Sequence, residues 1–440
     1  MRTDRTRTAS TRWTPPALTL VRIRAALVLP LVLGLSAYTV AAGAIDHAEP
    51  DDVGMSAARL QRVHEAMQRH IDDGNISGGV TAAARRGRLV HLEAHGLMDL
   101  ESGAPVTADA IFKIMSMTKP VVGVAILMLM EEGKLRLTDP VSRFIPELAD
   151  LQVAVEQPTG RGRGAGPGAG QAPSFYTIPA NRPITIQDLL THTSGLVSGR
   201  VSNSEAARLA PQRPGDRLAD VIPRLGQVPL EFQPGDRWSY SAARGFDTLL
   251  HIVEIASGQS ADRFLSDRLF EPLQMKDTFF WAPETHRARV VTLYQRTPEG
   301  LRRAENQTGV TSDTYFSGGG GLMSTAEDYL QFGQMLLNGG ELNGVRLLSP
   351  KTVELMSSTA VHEFGGPDSG RTFGLSVQIV SDPIAAGYRV GAGSFGWDGA
   401  YGTHFWVDPT EDLVGLVMIQ TPNFQISRDV ENALMQAIVD

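Results

Sequence analysis

Apolar positions recur at helical spacing early in the chain. Leu60, Val63, Met67 and Ile71 share one face, so Met55 to Ile71 is expected to be an amphipathic helix. Asp72-Asp73-Gly74-Asn75 ends it, with Gly74 suited to the helix exit. Two short runs, Gly79 to Ala84 and Leu89 to Ala94, read as strands joined at Arg85-Arg86-Gly87-Arg88, a hairpin turn. A denser apolar helix follows from Pro120 to Glu132, with Gly133 at its natural stop. Residues 185–275 read as mainly helical, Phe246 to Ile255 most clearly, and Thr325 to Leu337 is a further helix. Strands return at Gly374 to Val380, Thr403 to Val407 and Leu413 to Thr421, before a last helix from Arg428 to Val439. Strands at both ends with helices between them imply an α/β fold in which both termini complete one sheet and a helical domain is inserted. The division expected is a sheet domain of residues 45–115 and 290–440 and a mainly helical domain of residues 116–289. Within the latter, the glycine-dense run 159–170 is expected to be a flexible surface loop.

The first 44 residues stand apart from this pattern. Arg2, Arg5, Arg7, Arg12, Arg22 and Arg24 form a basic start opposed only by Asp4. An apolar stretch from Ala25 to Val40 leads to the small residues Ala42-Gly43-Ala44, which reads as a secretory signal with a cleavage site. That stretch contains Pro30 and is short for a span of roughly 20 residues; the alternative is an uncleaved anchor. Residues 1–44 are therefore expected to be removed, leaving an exported, periplasmic or secreted protein without a stable membrane span. Losing six Arg and one Asp takes the net charge from −8 to −13, which offers no basic footprint for nucleic acid. Cysteine is absent, so thiol nucleophiles, disulfides and Cys-based metal sites are excluded.

Lysine is scarce: five residues (Lys113, Lys119, Lys134, Lys276, Lys351) against 35 arginines. An amine can lose its proton and act as a base, which a guanidinium cannot. Only Lys119 has a serine three residues before it, Ser116. Ser-x-x-Lys alone is a weak signal, but the pair precedes a strong apolar helix, and Pro120 belongs in a first turn. Ser116 and Lys119 would then lie one turn apart on one face, with the helix N-terminus favouring a developing oxyanion. One conflict is local: Pro120 disfavours helical geometry at Lys119.

Phe112-Lys113-Ile114-Met115-Ser116-Met117-Thr118-Lys119-Pro120 resembles the first motif of the serine β-lactamase-like superfamily, and most resembles its class C-like carboxylesterases, often called family VIII. The resemblance continues through Ile184 to Leu196, Gln233 to Ser241, Gly318 to Asp328 and Gly393 to Gly402. It implies an antiparallel sheet flanked by helices plus an inserted helical domain, as in β-lactamases and transpeptidases. It also implies a hydrolase working through an acyl-enzyme on Ser116 without metal or cofactor. Tyr240, the first residue of the Tyr-x-Asn motif, is assigned to proton transfer; whether Lys119 or Tyr240 takes the serine proton stays open. The Lys-Thr-Gly strand motif aligns with Trp397, Asp398 and Gly399, which would border the substrate. The N–H groups of Ser116 and Ala400 would form the oxyanion hole.

Two departures bear on the substrate. Ala242 replaces the motif asparagine, and Asp398 stands near the position of the missing strand cation, where it would repel a substrate carboxylate. Small neutral esters need neither contact, so a carboxylesterase is the first expectation and a β-lactamase or D,D-peptidase the alternative, with Arg244 or His404 as a substitute cation. A non-catalytic binding protein on the same fold is the rival of another class. His192 reads as a structural hydrogen-bonder under the site. The ten histidines show no metal-ligand spacing. No Gly-x-Ser-x-Gly elbow occurs, and Gly318 to Gly321 reads as a tight turn rather than a phosphate cradle.

Overall fold

The computed structural model describes residues 45–157, 173–362 and 364–440. The expected signal segment and the glycine-rich run 159–170 lie outside the described residues. Eight strands make the main sheet: β1 (Gly78–Arg85), β2 (Arg88–Asp99), β3 (Ala104–Pro105), β4 (Arg371–Phe373), β5 (Gln378–Val380), β6 (Phe395–Asp398), β7 (His404–Asp408) and β8 (Leu413–Ile419). Their order is β4-β5-β6-β7-β8-β1-β2-β3, and every pairing is antiparallel. The N-terminal hairpin thus joins the C-terminal meander through β1 and β8, with Gly79 opposite Ile419 and Arg85 opposite Leu413.

Both central strands are buried along their whole length, so both faces of the sheet must be covered. Alternation divides their side chains between two apolar clusters. Ala83, Leu413, Val417 and Ile419 pack with Leu60, Val63 and Met67 of α1 (Ala57–Asp72) and with the C-terminal helix. Val80, Ala82, Val414, Leu416 and Met418 turn the other way, toward α2 (Thr118–Glu131) and the helices behind it. α2 is buried from Thr118 to Leu129, as expected of a helix apolar all round. It packs against α3 (Arg244–Ser257), while α4 (Ala326–Leu337) lies across β7, β8 and β1. α5 (Phe424–Met435) pairs with α1 on the far face.

Three details differ from the sequence expectation. Within 116–289 a β-hairpin forms, Gln152–Glu156 against Phe175–Pro179, from short runs rich in β-branched and aromatic residues. The strand expected at Gly374 to Val380 is a turn and a strand. Gly374 N–H closes on Val377 C=O, and Ser376, at φ 73°, donates its N–H to Leu190 C=O. The last helix begins earlier because Asn423 caps it, its side chain accepting the Gln425 N–H. Among the described residues no helix is long and apolar enough to cross a membrane.

Leu416 is fully buried between α4 and the strands. Leu416→Ala is expected to cost about 2–5 kcal/mol through lost transfer energy and a residual cavity, measured as a shift in the denaturant midpoint.

Candidate active site

Ser116 is held by what surrounds the segment before it. Phe112–Lys113 pairs with Met323–Ser324, and the Gln420 amide grips both backbone groups of Lys113, at 3.2 and 3.1 Å. Thr403 Oγ1 donates to the Ile114 carbonyl. Met115 then takes φ 48°, a left-handed conformation costly for a side chain with a Cβ. A single tight turn, Met115–Met117, carries Ser116 into α2. Tyr329 Oη donates to Met117 C=O at 2.7 Å and Thr118 Oγ1 accepts the Leu322 N–H at 3.1 Å, so the strained turn is fastened on both sides. Pro120 occupies the first turn of α2, where its missing N–H removes no helical bond. The conflict expected at Lys119 is resolved in favour of helix.

Ser116 Oγ lies 3.0 Å from Lys119 Nζ and accepts from Tyr240 Oη at 2.7 Å. Lys119 is fully buried, yet among the described residues it has no carboxylate partner. Its Nζ instead donates to the carbonyls of Ala242 (2.7 Å) and Gly319 (2.6 Å), and it sits 4.8 Å from the Tyr240 ring centre. Two carbonyls can only accept. In the unprotonated amine they take both N–H groups and leave the lone pair for the serine proton.

The cage extends to residues the sequence did not single out. Asp247, fully buried on α3, accepts from Tyr315 Oη (2.8 Å), Ser317 Oγ (2.7 Å) and the Gly319 N–H (3.1 Å). It thereby holds the loop whose Gly319 carbonyl meets Lys119. A Cβ on Gly319 would lie 2.4 Å from Ala243 Cα, so the glycine run is a close-approach device as well as a turn. Gly399 serves the same end from the sheet: a Cβ there would sit 2.0 Å from Thr403 Oγ1 and 2.4 Å from Ile114 O. The turn after β6 closes by Gly399 N–H to Thr403 C=O and Gly402 N–H to Gly399 C=O, bonds that leave Ala400 out.

Aromatic rings wall the cleft beside Tyr240. Its ring centre is 5.8 Å from Trp397 and 4.7 Å from His192; Trp397 in turn packs on Phe373, and Trp238 on Phe364. His192 Nδ1 accepts the Ser241 N–H at 3.2 Å, so this imidazole props the Tyr240 segment from below. Burial holds its pKa well below the usual value, and it stays neutral. A cavity of about 580 Å³ adjoins the cage at Ala242, lined by Ala206, Ala210, Val310, Arg244 and Tyr315 among others.

A family model described as beta-lactamase matches residues 63–439. The chain belongs to the beta-lactamase family. An uncharacterised Mycobacterium tuberculosis protein is 38% identical over 364 residues, covering 79% of this chain and 87% of that one. Esterase EstB of Burkholderia gladioli is 29% identical, covering 88% of this chain and 96% of its own. Among solved structures, EstCE1, described as a hydrolase with promiscuous acyltransferase activity, superposes with a TM-score of 0.73 at 25% identity, covering 86% and 99%.

Where the beta-lactamase family pattern has its strand motif, the structure sets Trp397 beside Tyr240 and Gly399 against the Ile114 carbonyl but turns Asp398 away. Successive residues of β6 face opposite ways. Trp397 meets Tyr240, whereas the Asp398 carboxylate is 2.6 Å from His404 Nδ1 on the side of Glu431, which lies 3.4 Å from Nε2. Asp398 is therefore a paired charge behind the strand, not a repulsive one in front of it. Burial opposes charge on His404, but the two carboxylates outweigh it and push its pKa up to about 9. Arg244 is likewise engaged, by Asp247 at 3.2 Å and by Tyr315. Neither proposed substitute cation is unpaired.

Because the His404 pKa is raised on folding, the stability it contributes is full below about pH 6.5 and is lost as pH rises through about 9. His404→Gln is expected to flatten that part of the melting-temperature profile. Asp247→Asn, by loosening the Gly319 carbonyl, is expected to lower kcat at least ~10-fold with KM little changed, measured by steady-state ester hydrolysis.

Proposed function

We propose that this chain is a carboxylesterase that hydrolyses small neutral esters through an acyl-enzyme on Ser116. The observation that carries the reading is the position of Ser116 Oγ, 3.0 Å from Lys119 Nζ and 2.7 Å from Tyr240 Oη. Ser116 Oγ attacks the ester carbonyl while its proton passes to the Lys119–Tyr240 pair. The tetrahedral oxyanion is met by the N–H groups of Ser116 and Ala400. Collapse expels the alcohol, which takes the proton back. Water then attacks the acyl carbon, gives a proton to the same pair, and the carboxylic acid leaves as Ser116 is reprotonated.

Three features support a neutral substrate. The motif asparagine is Ala242. The candidate cations Arg244 and His404 are each committed to carboxylates, so neither is free to meet a substrate carboxylate. The adjoining cavity mixes alanine and valine with polar residues, its two charged residues Arg244 and Asp247 are paired with each other, and its size suits a small molecule of the ~300–1,000 Å³ pocket class. Similarity to the Burkholderia esterase points the same way. The basic and apolar N-terminal segment supports export, with the signal removed near Ala44.

The test offers purified protein a short p-nitrophenyl ester and a chromogenic cephalosporin. Ester turnover is expected to dominate, to vanish in Ser116→Ala, and to fall by ~10²–10⁴-fold in Lys119→Ala. Efficient cephalosporin turnover would favour a β-lactamase, and no turnover of any acyl donor would favour a binding protein.

A further inference from the structure

The sheet face covered by α1, opposite the one that α2 and Ser116 occupy, carries a second cluster of reactive side chains. β2 projects His91, Glu93 and His95 toward one side, because alternate residues of a strand share a face. α1 brings His64 to them. His64 Nδ1 lies 2.7 Å from Glu93 Oε1, and His95 Nε2 lies 4.0 Å from Glu93 Oε2. One donor atom from each of these three residues falls within 4.8 Å of the others. Ligand atoms around a tetrahedral ion at ~2.1 Å stand about 3.4 Å apart, a spacing that the separations in the trio bracket.

We propose that His64, Glu93 and His95 bind one divalent transition-metal ion of the Zn²⁺ class. Two imidazoles and a carboxylate are a known Zn²⁺ donor set that keeps a fourth position for water. The site is built rather than scattered. His95 is only 4% exposed, and behind it Thr81 Oγ1 lies 3.0 Å from its Nε2 and 2.7 Å from His91 Nε2. On binding, His95 Nε2 exchanges the Thr81 hydroxyl for the ion while His91 keeps that hydroxyl partnered. His64 and Glu93 are the accessible side, at 39% and 37% exposure, and give the ion its way in. Their mutual hydrogen bond is replaced by two metal bonds, the proton on His64 Nδ1 shifting to Nε2 as the imidazole changes tautomer. Sequence spacing shows no such motif because the ligands come from a helix and a strand 29 residues apart. The ion would tie α1 to β2 in a chain that has no cysteine for a disulfide.

The test titrates untagged, chelator-stripped protein with Zn²⁺ by calorimetry and follows melting with and without the ion. One Zn²⁺ per chain and a higher melting temperature are expected. Glu93→Gln and His64→Ala are each expected to weaken binding at least ~10-fold while keeping the metal-free melting temperature and the ester hydrolysis rate. Co²⁺ should give the intense visible bands of a four- or five-coordinate site, lost in both variants. Absence of saturable Zn²⁺ binding in the parent protein, or affinity unchanged in both variants, would overturn the proposal.

Discussion

A buried lysine nitrogen surrounded by oxygens organises this molecule. Lys119 Nζ is buried and, among the described residues, has no carboxylate partner, so its hydrogen-bonding groups must be met by fixed protein atoms. Those atoms come from three separate stretches of chain: Ser116 one turn away, the Ala242 carbonyl before α3, and the Gly319 carbonyl before α4. Each stretch is held by something else in turn. Asp247 fastens the Gly319 loop, Gln420 and Thr403 fasten the Ser116 turn, and Gly399 lets the sheet come close enough to do so. Strain at Met115 is tolerated because the surroundings over-determine it.

The sheet separates this chemistry from a different environment behind it. On the α2 side stand the serine, the amine and the aromatic wall. On the α1 and α5 side, imidazoles and carboxylates face each other as His404 with Asp398 and Glu431, and as the His64–Glu93–His95 trio. Strand alternation alone makes the division. It lets Trp397 and Asp398, neighbours in sequence, serve opposite sides.

Much of this was legible in the sequence. Apolar patterning located α1, α2, α4, the β1–β2 hairpin and β8: one-sided faces mark α1 and α4, and near-continuous apolar runs mark α2 and β8, which are buried all round. Ser116, Lys119 and Tyr240 were legible through motif and resemblance, and the structure brings the three together. Asp247 was not, since a lone Asp in a helix carries no motif and its role depends on a loop some 70 residues on. Asp398 was misplaced because an alignment position does not say which face of a strand a side chain takes. The hairpin at 152–179 was missed because its strands are short and contain exposed polar positions. The alternation of Glu93 and His95 on a strand was visible in the sequence, but nothing in the spacing brings His64 to them, which happens only when α1 docks.

Covalent trapping tests the central claim most directly. A p-nitrophenyl phosphonate ester incubated with the protein should release one equivalent of nitrophenol per chain, and peptide mass analysis should find the adduct on Ser116. Lys119→Ala should slow labelling sharply while the protein stays folded. An adduct on any other side chain, or labelling of Ser116 that ignores the loss of Lys119, would contradict the account.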